Sequence, residues 1–345
     1  MNSFINNIRH SRLWGSAVLL LAIFHLLLQL SVVAPREFAR TDIDRDVPVY
    51  WQAAKNVRAN VPIYTKQVSY GPDHFPQSIY IYPPPFAAVI APLGSLSFKA
   101  FSKVWFCLIL LAFWIFAYSL AKLFKGERKV TLRDVLVWGL VAGLFPGTYT
   151  AIGLGQVDPI LWALFAIGLI GIARPALWAL AALVKAFYVW PWIADLITTF
   201  QRDGVRVALR ALAGAMLVIG ILVFYGGIIC GWHSYVVWGR DVLPTLSQGN
   251  FKYDNVSLSF AVLRLARLVG WDYLGGPLPL LAHLWLTAAS IGAPLLAWWL
   301  SRHRMLQIKH ACIIAASVLF APVCWTCYLP LLLPLVALVI QDKQV

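Results

Sequence analysis

The sequence predicts an all-α polytopic membrane protein, and three observations carry that reading. First, 61 per cent of the 345 residues are hydrophobic and 12 per cent are charged, where a soluble protein runs at about 45–50 and about 25 per cent. So little charge cannot cover a soluble particle of this size. Second, charge-poor runs alternate with short polar breaks along the whole chain. Third, the basic residues gather in particular breaks, a pattern that records topology.

The runs define about ten membrane segments in a single domain, residues 1–345. The first, 13–34, contains no charge and at about 1.5 Å per residue crosses a roughly 30 Å hydrocarbon core once. Asn2 to Arg12 have the look of a signal-peptide n-region. The apolar run is longer than a usual h-region and no clean small-x-small site follows, so a retained first helix is expected. The next segments fall at 100–121, 132–149 and 156–173. The pair 175–186 and 188–200 is too short for two full spans. Arg174 precedes it and Arg202 and Arg206 follow it, so it reads as a broken, re-entrant hairpin with Lys185 near its tip. Segments at 207–230, 278–300, 310–322 and 325–341 complete the set.

Orientation follows from the breaks. The first twelve residues carry Arg9 and Arg12, the break at 122–133 carries Lys122, Lys125, Arg128, Lys129 and Arg133, and that at 301–309 carries Arg302, Arg304 and Lys309. These belong on the cytoplasmic side, and an even number of crossings leaves both termini there. Residues 35–82 and 231–277 are the long polar connections, and both fall outside. No cytoplasmic break can hold a nucleotide-binding domain, and neither GxxxxGK(S/T) nor a GxGxxG after a strand occurs. Chemistry is therefore expected at the outer face, without ATP.

The net charge of +14 fits anionic headgroups and topology rather than nucleic acid. Cys107, Cys230, Cys312, Cys324 and Cys327 lie almost entirely in apolar runs, so no disulfide framework is implied. Cys324-Trp325-Thr326-Cys327 has CxxC form without a thioredoxin-like βαβ context.

Asp42, Asp44 and Asp46 alternate within the first outer connection, and three readings compete. They form a D-x-D-x-D cation site, though one lacking the glycine turn and closing glutamate of an EF-hand. They form a solvated patch balanced by Arg40 and Arg45. Or one carboxylate is a general base at the mouth of a membrane cavity, for which Asp46 is the best candidate. It opens Asp46-Val-Pro48-Val-Tyr50-Trp51, where aspartate complements a helix dipole and proline suits a first turn.

Tyr80-Ile-Tyr82-Pro83-Pro84-Pro85-Phe86 is expected as a stiff extended segment that presents rings at a fixed angle, or else as a rigid entry into the membrane. Lys185 stands in an apolar stretch; such a lysine faces a cavity or an anionic partner, or snorkels to the headgroups. Arg264 and Arg267 share one face of an interfacial helix, holding a phosphate group or neutralising lipids.

Taken in order, these pieces resemble glycosyltransferase family 87, the polyprenyl-phosphate-mannose-dependent mannosyltransferase group with the GT-C membrane fold. The residues that carry the resemblance are Asp46-x-x-Val-Tyr50 with Ala53-Ala54, Pro62-Ile-Tyr64, Tyr82-Pro83-Pro84-Pro85-Phe86, Pro92-Leu93, Gly155-Gln156, Lys185, Asn255-x-Ser257 with Arg264, and Ala321-Pro322-x-x-Trp325 before Tyr328, over roughly residues 40–335. The chain departs from the family where Asp158 replaces a common Asn, Ala186 a common Pro, and Cys327 stands near a common His.

The resemblance implies a GT-C fold with a long first outer loop. It also implies transfer of a sugar, mannose by analogy, from a polyprenyl-phosphate donor to a hydroxyl of a lipid or glycan acceptor, at the outer face of a bacterial plasma membrane. The leaving phosphate needs positive charge, from Lys185 and Arg264, more than a general acid. Inverting single displacement needs one base, Asp46, and no second nucleophilic carboxylate. Tyr50, Trp51, Tyr82, Gln156, Asn255, Trp325 and Tyr328 are the other expected substrate contacts, with the rings of Tyr50, Trp51, Tyr82 and Trp325 stacking on sugar faces. No cofactor and no metal are expected, because lysine and arginine neutralise a monophosphate. The partners would be the donor, the acceptor and membrane lipids. The rival class is a transporter or lipid flippase, for which paired inverted repeats are the usual mark; no convincing duplication is found. A non-catalytic scaffold would need neither the acidic loop nor Lys185.

Overall fold

The computed structural model describes residues 12–28, 46–64, 69–70, 76–77, 80–145, 147–247, 255–268 and 280–342. Each expected apolar run becomes helix, because backbone N–H and C=O groups away from water must be paired within the segment itself. In chain order the helices are α1 (Arg12–Leu28), α2 (Asp46–Arg58), α3 (Pro84–Ile90, continued by a 3-10 turn Ala91–Ser95), α4 (Phe98–Lys125), α5 (Leu132–Leu144) and α6 (Thr148–Leu154). There follow α7 (Asp158–Leu169), α8 (Arg174–Val184), α9 (Val189–Asp203), α10 (Val205–Cys230), α11 (His233–Val237), α12 (Leu243–Ser247), α13 (Leu258–Leu268), α14 (Leu280–Leu300), α15 (Leu306–Leu319) and α16 (Leu333–Asp342). Two two-residue strands, β1 (Ser69–Tyr70) and β2 (Pro76–Gln77), pair antiparallel in the connection between α2 and α3.

α4 is the central post. Ser97 caps its first turn by accepting from the Ala100 N–H, Gly126 ends it, and its 28 residues reach about 42 Å at 1.5 Å per residue. α7 packs along it, with α5 and α16 on other sides. Phe101, Phe113, Phe116, Trp162 and Phe165 fill the seams and are fully buried. α5 opens with a reciprocal cap between Thr131 and Asp134, and Lys125 at the end of α4 pairs with Asp134 at 3.0 Å. α10 is the opposite kind of helix. Leu217, Ile221, Phe224 and Ile228 stand exposed along it, a face suited to hydrocarbon and to nothing aqueous.

Among the described residues each of the ten expected segments is largely helical, yet their lengths differ from those expected. Three helices among the described residues, α4, α10 and α14, are long and apolar enough to cross a membrane. A fourth follows if α5 and α6, bent by 82° at their break, count as one span. The other apolar helices run to 10–17 residues. Polar turns interrupt the apolar runs, and they surround the site described next. The stretch 175–200 breaks at Lys185, as expected: α8 stops at Val184, Lys185 is extended (φ −136°, ψ 116°), a 3-10 turn covers Ala186–Tyr188 and α9 restarts. Irregular backbone of this kind is tolerated because protein surrounds it. Phe187 lies against Tyr328, with ring centroids 5.3 Å apart.

Candidate active site

α2 carries Asp46 in its first turn, followed by Pro48, so the carboxylate stands at the positive end of the helix. One turn on, Tyr50 shares its face. The Tyr50 ring is fully enclosed, meeting Tyr82, Phe86 and Trp105 edge-on at 5.1–5.5 Å, and its hydroxyl donates to the Tyr82 hydroxyl at 3.0 Å. Tyr64 donates to the Tyr82 carbonyl at 2.7 Å. The expected extended run stops at Pro83: Pro84 and Pro85 form the first turn of α3, where proline's fixed φ suits a helix start, and the rings of Tyr82 and Phe86 on either side seat the start of α2.

The second wall comes from the α6–α7 connection. Gly155 adopts φ 68°, and its N–H donates to Ile152 O while the Gln156 N–H donates back to Ala151 O. This is a Schellman turn, which needs a left-handed residue and so a glycine. A side chain at Gly155 would also collide with Val47 of α2, and Trp105 donates to the Gly155 carbonyl at 2.7 Å. The turn presents Gln156 beside Asp46, with its Oε1 buried without a partner among the described residues. Two residues on, Asp158 lies fully buried in the first turn of α7, before Pro159.

The third wall is the hairpin break. Lys185 places its ammonium 2.8 and 2.7 Å from the two Asp158 carboxylate oxygens and 4.0 Å from the centre of the Tyr328 ring. Tyr328 is held by a clamp that joins two motifs far apart in the chain. Asn255 and Trp325 form an antiparallel bridge. Asn255 Oδ1 accepts from the N–H groups of Ser257 and Cys324, and its Nδ2 donates to Pro322 O. Val256 N–H donates to Cys324 O at 2.7 Å and Ser257 Oγ donates to Ala321 O at 2.5 Å. Gly147 (φ 88°) lies so close that a side chain there would strike the Thr326 carbonyl.

Burial pushes the Asp46 carboxyl up to about 6; Lys185 pulls it down, Asp158 pushes it further up, and the hydrogen bond from Gln156 lowers it. Such a carboxylate is ionised at neutral pH and far more basic than one in water. Tyr50 and Tyr82 face it, and burial holds both phenols well above their ordinary range, so they remain neutral donors.

Of the expected site residues, Asp46, Tyr50, Tyr82, Gln156, Lys185 and Tyr328 are brought together around one interior point. Asn255 and Trp325 form the clamp behind it. Asn255 spends its amide on backbone, and the Tyr50 ring presents no open face for a sugar. Trp51 points elsewhere, donating to Leu96 O at 3.0 Å, packing on Phe98 and lying under the Lys55 ammonium at 4.5 Å. One helical step from Tyr50 turns a side chain by about 100°, enough to leave the site. Arg264 lies on α13 with its guanidinium 5.7 Å from the Phe260 ring, in a hydrophobic cluster apart from the main core. Asp42, Asp44 and the Arg267 side chain lie outside the described residues. Among the described residues no three His, Cys, Asp or Glu side chains group as metal ligands. Cys324 and Cys327 are buried free thiols.

Two contributors were not expected. Asp158 showed in the sequence only as a lone acid at the start of an apolar run, and that intramembrane charge was the usable signal. Tyr188, fully buried with a hydroxyl unpartnered among the described residues, gave no signal in a stretch of apolar neighbours.

The model of glycosyltransferase family 87 matches residues 80–322 of the chain. No curated protein and no solved structure matches it. The matched stretch holds Tyr82, Gln156, Asp158, Lys185, Asn255 and Arg264 and stops short of Asp46 on one side and of Trp325 and Tyr328 on the other.

Proposed function

The chain belongs to glycosyltransferase family 87 and is a membrane glycosyltransferase, and from that premise we propose that it moves a sugar, mannose by family analogy, from polyprenyl phosphate to a hydroxyl of a lipid or glycan, with Asp46 as the base. The observation that supports this best is the gathering of Asp46, Gln156 and the Asp158–Lys185 pair at one interior point. The acceptor O–H bond breaks and its proton passes to the Asp46 carboxylate. The acceptor oxygen bonds to C1 of the sugar from the face opposite the phosphate, the C1–O bond breaks, and its electron pair leaves with polyprenyl phosphate. One displacement inverts C1 and requires a single carboxylate at the reacting atoms.

The leaving phosphate is already a stable anion, so positive charge serves it better than a proton donor. Lys185 supplies that charge; Arg264, the second cation expected from the sequence, stands on α13 against Phe260 in a separate cluster. Gln156 Oε1, an acceptor without a partner among the described residues, suits a sugar or acceptor hydroxyl. The isoprenoid tail would lie among lipid-facing helices, in the plasma membrane, with the site toward the outer face and both termini inside. Neither a cofactor nor a metal is invoked, and transfer is expected to persist in excess chelator; abolished transfer would point back to Asp42, Asp44 and Asp46 as cation ligands.

The test is transfer of label from polyprenyl-phosphate mannose to host lipid extract by the reconstituted protein, wild type beside Asp46→Asn. Product from wild type alone supports enzyme class, donor and base together. Full activity in Asp46→Asn with intact folding removes the base assignment, and a transporter reading gains ground if donor binds without ever being turned over.

A further inference from the structure

We propose that Asp158 is a positioning residue for the transfer: by accepting from the Lys185 ammonium on both carboxylate oxygens it fixes that ammonium over Tyr328 and beside Asp46. The inference rests on the reading of Asp46 as the base, and goes beyond it in naming a second acid with a different task.

The geometry argues for it in three steps. Lys185 follows a helix end and occupies extended backbone, so its position along the chain does not aim its side chain. Four flexible bonds leave the ammonium a wide sweep. Asp158 removes that freedom, since it is fully buried in the rigid first turn of α7, with oxygens 2.8 and 2.7 Å from the nitrogen. Tyr328 closes the remaining side at 4.0 Å. Second, Asp158 itself is poorly placed to take a proton from an acceptor, because both its oxygens are occupied by the ammonium. Third, the pair is matched in charge, so the free site carries the charge of Asp46 alone from these three groups. The anionic donor can then draw on Lys185 only by sharing it with Asp158. Asp158 thus meters how much positive charge reaches the phosphate, a setting that an uncharged side chain at position 158 would remove.

A plain structural brace would also hold hairpin to α7, so the test needs readouts that a brace does not move. The variants are Asp158→Asn, Asp158→Glu, Lys185→Met and the double Asp158→Asn/Lys185→Met, each reconstituted in full length. The donor probe is polyprenyl-phosphate mannose, with Asp46→Asn alongside. Asp158→Asn is expected to lower kcat of the folded fraction by about tenfold, with Asp158→Glu recovering part of the loss, since a slightly misplaced charge loses much of its effect on the rate. In the Lys185→Met background the same Asp158→Asn change is expected to cause no further loss, because residues that act as a unit do not add.

The second readout is the titration of Asp46, taken from the acid limb of the rate profile and, independently of any donor, from the infrared carboxyl band that Asp46→Asn abolishes. Among the described residues, Lys185, Asp158, Gln156, Tyr50, Tyr82 and Cys327 are the polar and titratable groups that face Asp46. Lys185→Met is expected to raise the titration, through loss of its attraction, and the double variant to bring it back down, through loss of the Asp158 charge. Wild-type kcat in folded Asp158→Asn, equal losses in both backgrounds, or an Asp46 band that ignores both substitutions would each overturn the proposal. Should Asp158→Asn fail to fold, the comparison of Lys185→Met with the neutral double variant decides it on the same grounds. Activity retained in Asp46→Asn would instead strike the base assignment, and the coupling between Asp158 and Lys185 would still be read.

Discussion

Asp46 has a basicity matched to its proposed task. With its carboxyl raised to about 6 by burial and by Asp158, it is ionised at pH 7 and becomes protonated below that value. A base must be ionised to act, so the rate is expected to fall by about tenfold per pH unit on the acid side of pH 6. A profile flat to pH 4.5 would remove Asp46 from the chemistry. The sign for stability is opposite to that of a salt-bridged surface acid. Because the folded state raises this group above its ordinary 3.8, ionisation costs stability, and the cost grows as pH rises from about 4 to about 6. Asp46→Asn is therefore expected to abolish transfer while leaving thermal stability at neutral pH equal or higher, a pairing that a folding defect cannot imitate. The sequence marked Asp46 by its place before Pro48 and Tyr50, and marked Lys185 by its apolar surroundings. Their meeting was not legible, because 139 positions of chain separate them and no local propensity encodes the approach.

Turns, more than helices, decide where the site's side chains point. Gly155 and Gly147 both hold left-handed backbone and both touch another element, α2 in one case and the Thr326 carbonyl in the other. Alanine at either adds strain and a collision, and is expected to lower stability by about 1 kcal/mol or more. Melting in detergent measures the loss. Gly155→Ala carries the additional expectation of reduced transfer in the folded fraction, since Gln156 is aimed by that turn. At the other end of the hairpin, Arg174 donates to Asp195 at 2.9 Å, and His310 of α15 lies 3.7 Å from the same carboxylate, its ring against Trp178. This buried group ties α8, α9 and α15 together. Arg174→Met leaves Asp195 unpaired and is expected to cost about 3–5 kcal/mol, whereas Arg174→Met with Asp195→Asn costs much less. Equal melting temperatures for the two variants would show the pair to be slack. Expectation from sequence reached the hairpin itself, through its length and its flanking arginines, and missed Asp195, which reads as ordinary in the run Val189–Asp203.

The whole molecule is built for two solvents, and α10 shows it most plainly. Leu217, near the middle of that helix, is exposed, a costly arrangement in water and a natural one in hydrocarbon. Leu217→Lys is expected to cost about 2.5–3.5 kcal/mol in a bilayer, against nearly nothing at an exposed soluble site. Insertion and melting in liposomes separate the two. The site, by contrast, is lined by charges that hydrocarbon would not tolerate singly, and they persist because Asp158 and Lys185 match each other and protein encloses them. α4 supports both halves, packing α7 on one flank and presenting Trp105 to Gly155 and to Tyr50.

Composition, run length and basic breaks were enough to determine a helical membrane protein, because hydrocarbon imposes one rule on every backbone group it surrounds. Motif order in the chain was enough to indicate the family, since the residues that carry it recur in one dimension. What the tertiary structure alone decided is how those motifs meet. Asn255 is a backbone clamp on the segment that carries Trp325, Trp51 lies outside the site its neighbour Tyr50 supports, and Lys185 already holds a carboxylate. Each of these depends on contacts across tens to more than a hundred residues. A one-dimensional pattern specifies which face of a helix is apolar, and packing alone specifies what that face meets.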